Sequence, residues 1–356
     1  MTDQRDVPQF AVVPGAAVHQ ALQGDERELI DLVEQAYLLH GAGSTVNPPS
    51  YFLRFPDRPD ARIIALPASV SDPVGVDGIK WISSFPANLA AGLPRASAVL
   101  ILNDPRTGFP YACLEGSIVS AARTAASAAV AMRAMTGQRR TTPRRVGFVG
   151  TGLIARYIDR YLRALGWELD EIGVFDLVAS SASGFAGYLR GAHPGAPIVV
   201  HRSAEELLEN SDVVVFATTA SAPHVGAGRW LEHNPLVLHV SLRDLAVDVI
   251  DSVVNVVDDR NHVLQANTSL HLAQQAHEGV DPAAATLYDL LTDRFTIPVD
   301  RPVVFSPFGL GVLDLVVGDH VFRVARERGE ALTVDRFFFD MQRHSAPDGS
   351  GPPTES

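Results

Sequence analysis

Arg145-Val-Gly-Phe-Val-Gly-Thr-Gly-Leu-Ile-Ala155 is the stretch that decides the fold. An apolar run, Val146 to Val149, enters Gly150-Thr151-Gly152, and a helix-like segment follows. The pattern is a strand, a tight glycine turn and a helix start. Gly150 permits the turn, Gly152 lets a pyrophosphate approach the backbone, and Ala155 lets helix and strand pack closely. The new helix offers unpaired N–H groups and the positive end of its dipole to phosphates, with Leu153 and Ile154 in its first turn.

The next strand strengthens this reading. Glu171-Ile-Gly-Val-Phe-Asp176 ends in an acid near the spacing at which a carboxylate meets the adenosine ribose hydroxyls. Leu177 and Val178 follow, with no Arg or Lys to receive a 2′-phosphate, so NAD is expected rather than NADP. The competing role for Asp176 is a helix N-cap. Downstream, strands and helices alternate: strands at 197–201, 212–218 and 236–241, helices near 181–190 and at 203–209. That is the signature of a doubly wound α/β sheet. Ligands bind such sheets at the carboxyl ends of the strands. The polar residues there, Thr218, Thr219, Ser241 and Ser306, are therefore candidate cofactor contacts, and Asp244 stands at the same edge. The competing role for Asp244 is an N-cap or a partner for Arg243.

Before this unit lies a different region. Leu29, Leu32, Val33, Ala36 and Leu39 recur at helical spacing. Strands are expected within 47–56, at 61–70 and at 75–85. A hairpin is expected from 98–104 and 109–115 about Pro105-Arg-Thr-Gly108. A helix crowded with alanines spans roughly 118–135. Thr136 to Pro143 is a polar connector and the expected boundary. Three cations stand in apolar or close-packed settings here. Arg54 interrupts Tyr51-Phe-Leu and Phe55, and either lies on an edge strand in solvent or grips a carboxylate in bidentate fashion. Lys80 sits among Ile79, Trp81 and Ile82; it either snorkels or has a pKa lowered by burial. Arg123 stands near a helix start among alanines, facing either solvent or a substrate acid.

The bulk numbers exclude several classes. The 356 residues suffice for two domains, and 46% hydrophobic content is ordinary for a globular protein. A formal charge of −12 argues against nucleic acid or an anionic membrane as partner. One cysteine, Cys113, makes no internal disulfide. The twelve histidines show no ligand spacing, so no metal is expected. Met1 to Phe10 carries no secretory pattern and no apolar run approaches 18 residues, which leads to the expectation of a cytoplasmic protein. Phe337-Phe-Phe339 is expected to pack back on the first region, and 344–356 reads as a disordered tail.

Together these segments resemble the ornithine cyclodeaminase/mu-crystallin family. The motifs are Gly78-Ile-Lys80 with Phe85-Pro-Ala-Asn88, Leu102-Asn-Asp104-Pro-Arg-Thr-Gly108, Ala122-Arg123-Thr124-Ala-Ala126 and Gly150-Thr-Gly-Leu-Ile-Ala155. The resemblance, from about residue 20 to 335, implies a Rossmann NAD-binding domain (139–306). It also implies a split α+β substrate and dimerisation domain, built from 1–138 and 307–343, and a homodimer. By position, Arg54, Lys80 and Arg123 match the family's carboxylate-handling trio and Asp244 its catalytic aspartate. Leu242-Arg-Asp-Leu-Ala-Val-Asp248 lacks the Pro-Gly-Lys of ornithine cyclodeaminases, and Arg95 stands where many relatives have a small hydroxyl residue.

Three further phrases are similar to the branch that makes 2,3-diaminopropionate for siderophores and peptide antibiotics. They are Ser50-Tyr-Phe-Leu-Arg-Phe-Pro56, Ser241-Leu-Arg-Asp-Leu245 and Ser306-Pro-Phe-Gly-Leu-Gly-Val-Leu-Asp314. That resemblance implies NAD-dependent oxidation of N-(2-amino-2-carboxyethyl)-L-glutamate to 2,3-diaminopropionate and 2-oxoglutarate. Lys80 or Asp244 would be the base, Arg54 and Arg123 would hold carboxylates, and Arg95 would be a third cation. Ornithine cyclodeaminase, ketimine reductase, alanine dehydrogenase and a non-catalytic nucleotide-binding protein are the alternatives.

Overall fold

The computed structural model describes residues 8–338. It is an α/β structure with two eight-stranded sheets. The second sheet is wholly parallel. Its strands lie in the order Ile198–Val200, Glu171–Phe175, Arg145–Val149, Val213–Phe216, Leu236–His239, Val303–Ser306, Val254–Val257, Ala285–Thr286. The order reverses between Arg145–Val149 and Val213–Phe216. That switch point is where an open α/β sheet leaves a crevice beyond its strand ends. The central strands are near-continuous runs of valine, leucine and phenylalanine because helices cover both faces.

The first sheet is mostly antiparallel, running Tyr51–Phe55, Arg58–Val70, Val76–Ser84, Ala96–Asn103, Pro110–Glu115. Ala11–Val13 and Leu332–Thr333 extend its far edge, so both ends of the described chain meet there. Phe337 stacks on Phe10 at 3.9 Å, as expected of the aromatic run; Phe339 and the tail lie outside the described residues.

One face of this sheet is covered by the helices Gly116–Arg139 and Gly311–Glu327. The second comes very close. A Cβ on Gly318 would lie 2.1 Å from Leu100 Cδ2, so that leucine would have to move, and one on Gly78 would lie 2.2 Å from the Ile101 carbonyl oxygen and 2.8 Å from Leu315 Cδ2, so only glycine fits there. The opposite face carries Tyr51, Leu53, Trp81 and Val99, all exposed.

The alanine-rich helix departs from expectation. It continues through Thr136-Gly-Gln-Arg139, which composition marked as a connector. Arg139 donates to the carbonyls of Asn234 and Pro298, and Gln138 to those of Leu290 and Phe295. These distant acceptors extend the helix against the weak propensity of Gly137. Among the described residues no helix is long and apolar enough to cross a membrane.

Candidate active site

The glycine turn has the geometry its sequence requires. Gly150 has φ +87°, and a Cβ there would lie 2.6 Å from the Ala217 carbonyl oxygen. Gly152 caps the helix Leu153–Arg163, and a Cβ there meets nothing within 4 Å. Its helix end is uncapped by any side chain and faces open space, while Ala155 is fully buried against the sheet. This is a cradle suited to a diphosphate. Asp176 is not the N-cap of the following helix, which begins at Ala179 after an uncapped Val178. Its Oδ2 accepts from the Thr151 amide at 3.0 Å and hydroxyl at 2.7 Å, and Oδ1 accepts from the Val178 amide at 2.9 Å. The carboxylate is thereby fixed beside the glycine turn, with exposed Leu177 next to it.

At the strand ends on the other side of the crevice stands Asp244, fully buried. It accepts from the hydroxyls of Thr218 and Ser241, and His239 Nε2 lies 3.2 Å from its Oδ2. Burial pushes this carboxyl up, but His239 and the two hydroxyls outweigh burial and hold it below its ordinary value. It is therefore ionised at neutral pH. Ser306 is also fully buried, with its hydroxyl 3.2 Å from His239 Nδ1, and Thr219 is exposed. Arg243 does not pair with Asp244 through a hydrogen bond; it donates to the Ala266 carbonyl. His239 was invisible to sequence reasoning because nothing in Leu238-His-Val distinguishes a strand histidine that orients a carboxylate.

The first sheet supplies the cations. Lys80 is 2% exposed, so it does not snorkel. Its Nζ donates to Asp314 Oδ2 at 2.6 Å and to Ser120 Oγ at 3.2 Å. Arg123 Nε donates to the other oxygen, Asp314 Oδ1, at 3.1 Å. One buried carboxylate thus bridges two cations. The helix of Arg123 is started by Glu115, whose carboxylate accepts from the Ser117 and Ile118 amides. Asp314 sits in the first turn of the helix that Gly78 and Gly318 allow onto the sheet. Burial and the charge of Arg123 push Lys80 down to about 8, against the upward pull of Asp314. Asp314 was missed as a site residue: its partners lie 191 and 234 residues away.

The two halves meet. Arg123's guanidinium lies against Gly309, where a Cβ would come within 2.7 Å of Nη1. Gly309 belongs to the loop leaving the parallel strand Val303–Ser306, and its amide donates to buried Asp258 at 2.7 Å. Along the carboxyl edge of the sheet, in strand order, come Asp176, the Gly150 turn, Thr218, Ser241 with Asp244, and then Gly309 with Arg123. Four strand spacings from the Asp176 strand to the Gly309 strand span roughly 19 Å, enough for a dinucleotide to lie along the edge.

Arg54 and Arg95 lie further off. Arg54 is exposed on the edge strand, with its guanidinium 5.0 Å from the Phe52 ring centre. Arg95 Nη1 donates to buried Ser84 Oγ at 2.7 Å.

Residues 14–266 match the model of the ornithine cyclodeaminase/mu-crystallin family. An alanine dehydrogenase of Archaeoglobus fulgidus is 27% identical over 84% of this chain and 90% of its own. The N-((2S)-2-amino-2-carboxyethyl)-L-glutamate dehydrogenase of Staphylococcus aureus is 26% identical over 90% of this chain and 96% of its own. Among solved structures, an archaeal alanine dehydrogenase dimer with bound NAD superposes with a TM-score of 0.82, at 26% identity, covering 93% of this chain and all of that one.

Proposed function

Since this chain belongs to the ornithine cyclodeaminase/mu-crystallin family, we propose that it is an NAD-dependent dehydrogenase of an N-substituted amino acid. The substrate is N-(2-amino-2-carboxyethyl)-L-glutamate, and the products are L-2,3-diaminopropionate and 2-oxoglutarate. The observation that carries this reading is the buried Lys80–Asp314–Arg123 group, set against the loop at the end of the parallel sheet's edge. It puts two cations, one of them lowered to about 8, where a dinucleotide's far end would lie. The uncapped Gly152 helix end and the fixed Asp176 carboxylate fit the diphosphate and ribose of NAD, and the solved relative with bound NAD supports the same cofactor.

When bound, the dinucleotide supplies the hydride acceptor for the glutamate-derived Cα–H. The chain's residues do the rest. Arg123 holds the carboxylate next to that carbon and fixes its distance to the acceptor. Hydride loss requires the substrate nitrogen's electron pair, so its extra proton must leave first. Lys80, pushed down to about 8, is placed to take it. Asp244, ionised and oriented by His239, Ser241 and Thr218, directs the water that attacks the imine carbon. Proton transfer to the departing nitrogen splits the carbinolamine into the keto diacid and the free diamine.

Two further parts belong to this reading. Among the described residues, 8–138 with 307–338 are the substrate and dimerisation domain, and 139–306 the nucleotide domain. The exposed face of Tyr51, Leu53, Trp81 and Val99 is the homodimer surface, which the dimeric relative supports.

The test is product identification. Purified protein is given NAD and the glutamate adduct, and in parallel alanine, proline and ornithine. The proposal expects stoichiometric NADH, 2-oxoglutarate and diaminopropionate from the adduct alone. NADH from alanine and none from the adduct refutes it.

A further inference from the structure

The helix-covered face of the first sheet carries more positive charge than the proposed chemistry uses. Register pairs Arg62 with Arg54 on one side and Ser84 on the other, so the three side chains share one face, and Ser84 holds Arg95. Lys80 lies on that same face, four residues before Ser84 on its strand. Four residues of strand are about 13 Å. Between the two charged rows runs an apolar one, Phe52–Ile64–Ile82, and Arg54 leans back over Phe52 towards Lys80. Arg62 is half-buried, yet among the described residues its guanidinium has no hydrogen bond or ion pair. Arg54 has no carboxylate partner among them either. Burial disfavours the charge on Arg62, and the charges of Arg243, Arg95 and Arg54 disfavour it further. Arg243 comes from the other lobe, one residue before Asp244, and is itself anchored to the Ala266 carbonyl. In a chain of net charge −12, four guanidiniums gathered around one half-buried site call for an anion.

We propose that Arg62, in the row that register gives it with Arg54 and the Arg95-bonded Ser84, is the specificity-determining clasp for the distal carboxylate of a long diacid. Arg123 takes the carboxylate beside the reacting carbon, next to Lys80. The substrate's methylenes lie over Phe52, Ile64 and Ile82, and its far carboxylate reaches the arginine row. The assignment rests on the reading that the substrate is a glutamate-derived diacid. It adds that chain length is measured between two rungs of one sheet. A monocarboxylate such as alanine leaves this row unfilled.

The experiment compares 2-oxoglutarate with pyruvate, two keto acids that share the near carboxylate, titrated calorimetrically into NADH-loaded wild type, Arg62→Ala and Arg62→Lys. NADH affinity serves as the folding control. Expected are tighter binding of 2-oxoglutarate than pyruvate by the wild type, and about 10–100-fold weaker 2-oxoglutarate binding by Arg62→Ala, the scale of one charge-assisted hydrogen bond. Pyruvate binding should be unchanged and Arg62→Lys should be intermediate. In turnover, Arg62→Ala should raise KM for the adduct and leave kcat within a few-fold. Equal loss for both keto acids, no loss for either, or no dicarboxylate preference in the wild type overturns the clasp. If the adduct is not oxidised but Arg62→Ala still separates the two keto acids, the proposed reaction is wrong and the clasp stands.

Discussion

Replacing Asp314 by Asn removes the one anion between buried Lys80 and partly buried Arg123 while keeping the side chain's shape. The carboxylate is fully buried, 2.6 Å from Lys80 Nζ and 3.1 Å from Arg123 Nε. Breaking such a pair by deleting one member costs about 3–5 kcal/mol, because the remaining charge is stranded. Here one stranded cation has an exit. Lys80 titrates near 8 while Asp314 pulls it upward, so without that pull it titrates lower still. The sign follows from linkage. A lysine already lowered in the folded state binds fewer protons there than when unfolded, and lowering it further adds about 1.4 kcal/mol of destabilisation per pKa unit at pH values well below its folded pKa. Above pH 8 Lys80 is largely neutral in both proteins and that share disappears. Arg123 remains charged throughout, so its share persists. Urea denaturation of wild type and Asp314→Asn at pH 6.5 and pH 9 should therefore show a large stability difference at the lower pH and a smaller one at the higher. The pH limb of kcat should move to lower pH in the variant. Equal differences at both pH values, with an unshifted limb, would refute the claim that Asp314 sets the charge of Lys80.

Lys80→Ala should leave NAD binding intact by fluorescence titration and cut turnover at least ~10²-fold, the scale of losing a general base. In the wild type kcat should rise with pH through about 8, since the base acts only when unprotonated. Asp244, held below its ordinary value, titrates on the acid side instead, so a profile flat between pH 7 and 9 would move the base role to it. Gly150→Ala puts a Cβ 2.6 Å from the Ala217 carbonyl oxygen at φ +87° and should weaken NAD binding by more than ~10-fold; equilibrium titration checks this. Trp81→Asp should convert a dimer to a monomer in multi-angle light scattering, and an unchanged mass would free that face of its proposed role.

The nucleotide half was legible because its signals are local. A strand, its glycine turn and the acid ending the next strand fall within 32 residues, and each obeys a rule of backbone sterics or dipole placement that holds in any context. Period and apolar content likewise marked most strands and helices. The helix end at 135 was misjudged because its carbonyl partners lie near residues 234 and 290–298, beyond any local window. The charged centre was only half visible. Sequence singled out Lys80, Arg123 and Asp244, but whether a lysine amid isoleucines snorkels or is buried depends on what covers it. That cover is a helix beginning at Gly311, brought within reach by Gly78 and Gly318, which places Asp314 between two cations. Arg62 drew no notice because its meaning lies across the strands, in the neighbours that register gives it. Backbone chemistry is written along the chain, whereas charge compensation is a property of what folding brings together. Only the tertiary structure decided which cations are neutralised from within and which are left for a ligand.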